Sequence, residues 1–170
     1  MAFTAPPGTL TTDVPSLEGH CVVQRLNQTL LTAGGTHQVR ILLRGSTTGD
    51  LTLDKVTISQ PAATGDPYDA EQDLTEVGLP GLPGVPIPIP QNTAVTVGPV
   101  DYVLDASQDL LIAFDISNTP GQGNGRVGAL TGGDTFDGPG KAEAGKQDRT
   151  TGYQVSPPDN LFLVEIIEVL

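Results

Sequence analysis

The chain has 170 residues, with 20 acidic against 8 basic side chains and a formal charge of −12 at pH 7, a balance that repels phosphate backbones and anionic membranes and argues against both as partners. Twenty-one Gly, 15 Pro, no Trp and 4% aromatic residues point to many short elements separated by turns, while 37% hydrophobic residues suffice for the core of one domain. Cys21 is the only cysteine; it excludes an intrachain disulfide and a Cys-rich metal centre and reads as a small buried hydrophobe.

Residues 1–18 hold Pro6, Pro7 and Pro15, several Thr and few large apolar groups. This is the composition of an extended N-terminal arm that orders only against a neighbouring surface. The segment lacks the basic start and apolar run of a signal peptide, and no stretch reaches the roughly 18–20 apolar residues of a membrane span. A soluble protein outside the ordinary export route is expected. The Asn27-Gln28-Thr29 sequon carries little meaning without a secretion signal.

Residues 19–170 read as a single all-β domain. A first strand is expected at 20–26 and a second at 38–44, where Val39, Ile41 and Leu43 alternate with Gln38, Arg40 and Leu42, the period of a half-buried strand. At 51–59 the apolar phase moves from Leu51 and Leu53 to Val56 and Ile58, which calls for a bulge or burial on both faces. Segments 93–97 and 101–104 are β-rich pieces interrupted by Gly98-Pro99, placing them at an edge or a kink. The clearest strand is 109–117: Leu110, Ile112, Phe114 and Ile116 line one face, and Leu111 and Ala113 keep the other apolar, as in a central strand. A terminal strand at 161–170 carries Glu165 and Glu168 on opposite faces. Arg25, Arg40, Arg44 and Lys55 read as a solvated strand face, with contact to an acidic partner as the other option. Only 141–147 has helical composition, cut by Gly145. Seven or eight turn-punctuated strands add up to an antiparallel β-sandwich of jelly-roll type.

Two long irregular segments remain, 60–91 and 119–151, and loops of such length are often functional. The first contains GLPGLPGVP at 78–86 followed by Ile-Pro-Ile-Pro, readable as a Pro-rich polyproline II strap over the domain or as a collagen-like contact of three chains. The second, with TPGQGNG and TGGD, reads as an exposed loop.

Catalytic patterns are sparse. His20 and His37 are the only imidazoles and neither lies in a nucleophile-elbow setting; both read as strand-end residues. Two His and one Cys lack zinc spacing. GNGRVG at 123–128 matches a dinucleotide loop in form, but no helix is expected after it. GDPYDAEQD at 65–73 gathers Asp66, Asp69, Glu71 and Asp73, hard oxygen ligands suited to Ca²⁺, with a solvated acidic loop as the alternative; Pro67 and Tyr68 offer a small sugar-contact patch. No other cofactor and no catalytic centre are expected.

The succession LTLDKVTISQ, GDPYD and TVGPVDYVLDASQDLLIAFDIS resembles the carbohydrate-module-like β-sandwich domains of tailed-bacteriophage structural proteins and of some secreted glycan-binding proteins, over about residues 50–117. The resemblance implies a virion protein on the outer surface of a particle, assembled in the host cytoplasm. Its leading form is a capsid decoration or cement protein bound to the major capsid protein or another virion protein, and to sister subunits in a homo-oligomer such as a trimer. The contacts expected are Phe3, Pro6, Pro7 and Leu10 in the arm and Leu79, Leu82, Val85 and Ile87 in the strap. The alternative is a carbohydrate-binding or receptor-attachment module.

Overall fold

The computed structural model of the protein describes residues 1–35, 38–156 and 158–170; the strand start expected at His37 lies outside the described residues. Among them fourteen strands follow in chain order: β1 (Phe3–Thr4), β2 (Thr12–Val14), β3 (Cys21–Leu26), β4 (Gln38–Arg44), β5 (Leu51–Ser59), β6 (Thr75–Glu76), β7 (Ile87–Ile89), β8 (Ala94–Asp101), β9 (Leu110–Ile116), β10 (Gly125–Ala129), β11 (Gly133–Gly138), β12 (Gln154–Ser156), β13 (Asn160–Phe162) and β14 (Val164–Val169). A single 3-10 turn, Gln28–Leu30, is the only helical piece described, and no described helix is long and apolar enough to cross a membrane.

All pairings between these strands are antiparallel. One sheet has the order β1-β14-β4-β8, a second β12-β11-β3-β9-β5-β6 with β7 also on β5, and a small third β13-β10-β2. The first two contribute their inward side chains to one apolar core. Val39, Ile41 and Leu43 of β4 and Val164 and Ile167 of β14 belong to the same cluster as Leu51, Leu53, Val56 and Ile58 of β5 and Leu110, Ile112, Phe114 and Ile116 of β9. This is the side-chain pattern of a β-sandwich.

Strand β9 is buried along its whole length because it lies between β3 and β5 and is covered on both faces. Its odd neighbours Leu111 and Ala113 join Cys21, Val23 and Phe136 in a separate, smaller cluster, closed by Tyr68, Ala144 and Tyr153 from loops. The phase change in β5 is a register shift between Leu53 and Lys55 against β9. The expected break at Gly98-Pro99 is absent: one edge strand, β8, runs through it and ends at Asp101, leaving of the expected piece 101–104 only an isolated bridge of Leu104 to Gly35. The pairing of β8 with β4 advances three residues against two between Val100 and Val97. Gly98 has φ +91°, and a Cβ there would lie 2.6 Å from the Val39 carbonyl oxygen, so only glycine fits the bulge.

Several expectations need correction. The arm at 1–18 is part of the fold: β1 pairs with β14 and β2 with β10, and Ala2, Phe3, Ala5 and Leu17 are core residues. The surface it needs is supplied by its own chain. The segment 119–151 is no simple exposed loop, since it holds β10 and β11, and β11 extends the large sheet beside β3. The terminal apolar run is two strands in different sheets, with buried Leu163 at φ +58° between them. A bulge between Val164 and Ile166 brings Glu165 and Glu168 to the same outer face, where they meet Arg44 and Arg40.

Candidate functional site

The Pro-rich segment 78–86 is neither a polyproline II strap nor a collagen-type strand. Gly81 and Gly84 both have positive φ, +74° and +70°, far from the backbone either structure requires. Each follows a proline, and the Leu82 N–H donates to the Leu79 carbonyl at 2.9 Å. Leu-Pro-Gly-Leu is therefore a β-turn with Pro at its second and Gly at its third position, a type II pattern, and Leu-Pro-Gly-Val repeats the sequence at once. No atom lies within 4 Å of a Cβ built on either glycine, so these glycines serve backbone conformation and not close packing. The base of the double turn is fixed where the Gly98 N–H donates to the Gly78 carbonyl at 2.8 Å.

This geometry divides the expected contact residues. Leu82 and Val85 are the closing residues of the two turns, 52% and 44% exposed, and Pro6 and Pro7 are exposed at a turn of the N-terminal segment. Leu10 and Leu79 are half-buried and pack on the core. Phe3 and Ile87 are 3% and 2% exposed and belong to the interior; their assignment as partner contacts is corrected, because pairing of β1 with β14 and of β7 with β5 turns both side chains inward.

The four acidic residues at 66–73 do not converge. Asp66 accepts the Tyr68 hydroxyl at 3.0 Å, Asp69 accepts the Arg149 and Asp66 N–H groups, Glu71 accepts the Ala63 N–H, and Asp73 accepts the Gln60 N–H and the Tyr102 hydroxyl at 2.6 Å. Among the described residues no group of three or more His, Cys, Asp or Glu side chains is arranged to hold a metal. The Ca²⁺ assignment is therefore corrected: each carboxylate satisfies a donor of its own loop, which disperses them. Tyr68 is buried, so the sugar-contact patch it was to form with Pro67 is absent from the surface.

A polar network beside this loop went unread in the sequence. Arg149, 1% exposed, donates to the backbone carbonyls of Tyr68, Glu143 and Ala144. Burial pulls its pKa down, with Cys21 and Tyr153 foremost among the groups acting the other way. Glu143 takes the Thr150 N–H and hydroxyl and the Tyr153 hydroxyl; burial raises its pKa, but these bonds and Lys146 outweigh it and hold the carboxyl below its ordinary value. Burial pushes the Cys21 thiol up to about 12, so it stays protonated and a poor nucleophile at neutral pH. His20 Nδ1 lies 2.8 Å from Asp137 Oδ1.

An open trough of about 630 Å³ is lined by Gln38, Asp73, Thr75, Asp101, Tyr102, Val103 and Leu170. It offers carboxylates and an amide but no aromatic face: all four Phe and three Tyr of the chain are buried. GNGRVG runs into β10, where Gly128 makes room for Thr9 to cross it, a Cβ at 128 being 1.5 Å from the Thr9 carbonyl oxygen. No protein-family model matches the chain, and no curated protein matches it.

Proposed function

We propose that this chain is a non-catalytic structural protein of a virion, a capsid decoration or cement protein that binds the outer shell and sister subunits. The observation that carries the proposal is the pair of exposed apolar side chains, Leu82 and Val85, that close two consecutive Pro-Gly turns. Burying two such side chains in a partner's pocket gains apolar area, and the stiff turns lose little entropy on binding. The turn at Pro6 and Pro7 offers a second, smaller contact.

The sandwich is read in finer detail as a jelly roll. In its favour, β1, β3, β4, β5, β6, β8, β9 and β14 taken as first to eighth give one sheet ordered first, eighth, third, sixth and another ordered second, seventh, fourth, fifth. That is the order produced by two Greek keys, an architecture used by viral capsid and lectin domains. The lectin-like alternative has less support, because sugar sites commonly stack the ligand on an exposed aromatic face and every aromatic residue here is buried.

The test is co-sedimentation with empty capsids assembled from the major capsid protein encoded with this chain. Leu82→Ser with Val85→Ser should leave the fold unchanged by circular dichroism and weaken capsid binding by about tenfold or more. Equal binding by the double variant removes the assignment of the turns, and a wild-type chain that ignores capsids but binds a glycan array removes the virion reading.

A further inference from the structure

The far face of the large sheet carries an apolar strip of Cys21, Val23, Leu111, Ala113 and Phe136, whose apolar cover is Tyr68, Ala144 and Tyr153. The main core, by contrast, draws on strands of both large sheets. The two covering segments, 60–73 and 141–153, contain no strand. They are held by point contacts. Thr57 donates its hydroxyl to the Ala144 carbonyl at 2.7 Å, the Ala144 N–H donates to Asp115 at 2.9 Å, and Arg25 donates to the Pro67 carbonyl at 3.0 Å.

The segments are also fastened to each other. The Arg149 guanidinium reaches the Tyr68 carbonyl in one segment and the Glu143 and Ala144 carbonyls in its own, while its N–H donates to Asp69. The Ala70 N–H donates to the Gln147 carbonyl at 2.8 Å, and the Tyr68 and Tyr153 rings lie 4.4 Å apart. A region with few buried apolar contacts and no ladder opens at a lower free energy than the body it covers. Contacts that tie two segments together make them open together. No carboxylate forms an ion pair with the buried guanidinium among the described residues, so its hold on the carbonyls offsets an uncompensated desolvation cost.

We infer that residues 60–73 and 141–153 form a two-part flap, clasped by Arg149, that opens as one unit while the sandwich stays folded and thereby uncovers Cys21 and its apolar strip. The inference rests on the fold and is independent of the proposed function. Cys21 is the only thiol of the chain and is fully buried under the flap, so its reaction with an aromatic disulfide reagent reads the open population directly.

The experiment measures that labelling rate in the full chain, for the wild type across low urea concentrations and for three variants. Arg149→Met and Thr57→Val should each speed labelling, the first by about tenfold or more. Phe3→Leu, which weakens only the main core, should leave the rate within about twofold. The urea dependence of wild-type labelling should be well under that of global unfolding, because a flap exposes less surface. If Arg149→Met does not fold, Thr57→Val and the urea slope decide. Labelling that follows the global slope, or that Phe3→Leu accelerates as much as the flap variants do, overturns the flap.

Discussion

Asp13 sits where three parts of the chain meet. Arg126 donates to its Oδ1 at 2.7 Å, the Thr47 N–H donates to the same oxygen at 3.0 Å, and the Thr47 hydroxyl donates to Oδ2. Burial acts to raise its pKa, but these bonds together outweigh it and hold the carboxyl well below the usual carboxylate range. A depressed folded pKa means that the unfolded chain takes up the proton first. The contribution of Asp13 is therefore complete above about pH 4 and is lost as pH falls through the unfolded value toward the folded one. Asp13→Asn should cost about 1–3 kcal/mol near neutral pH, and the gap to wild type in urea unfolding should narrow steadily below pH 4. A gap that stays constant with pH would mean that shape, and not charge, is what Asp13 supplies. Asp115 behaves oppositely: burial raises its pKa against the bonds it accepts, so its charged form weakens the fold as pH rises.

At the scale of elements, the N-terminal segment is the point where composition misleads most. Three prolines and few large side chains suggest a free arm, yet Phe3 packs in the main core and β1 and β2 each complete a sheet. Phe3→Ala should cost about 3–5 kcal/mol by urea unfolding, whereas Pro7→Ala, at an exposed turn, should change stability little. Comparable losses at both positions would contradict this placement. Strands β3, β4, β5 and β9 were legible because their own side chains carry a period of two or a continuous apolar run. Strands β10 and β11 were not, because their pairing depends on glycines whose value is the space they leave: Gly125 lies against Phe162 and Leu17, and Gly128 against Thr9. Leu163 hid a change of sheet, since nothing in Leu-Phe-Leu-Val-Glu announces a positive φ. The candidate site was less legible. The Gly-X-Pro period suggested a strap and hid the two turns, because the same residues serve either backbone and only the positive φ of Gly81 and Gly84 decides. Arg149 lies in a polar run whose burial depends on a loop 81 residues away.

For the whole molecule, the distribution of charge matters more than its sum. Six of the eight cations form ion pairs: Arg25 with Asp109, Arg40 with Glu168, Arg44 with Glu165, Lys55 with Glu76, Arg126 with Asp13 and Lys146 with Glu143. Lys141 bonds Thr150 and Thr151, and Arg149 is buried on carbonyls. The four cations at 25–55 are thus engaged within the fold, and the long-range field is that of the surplus carboxylates. Under the proposed function this field favours a basic partner surface and acts on encounter, while Leu82 and Val85 act on residence, because steering by distant charge is screened by salt and short-range apolar contact is not. Raising salt from about 50 to 300 mM should slow association with capsids severalfold or more while leaving dissociation nearly constant. Leu82→Ser with Val85→Ser should do the reverse, speeding dissociation with little change in the association rate. Surface-immobilised capsids and a salt series measure both rates for both proteins. Association that salt leaves untouched would remove the basic partner surface, and a double variant that slows association instead of speeding release would remove the division of labour between field and apolar contacts.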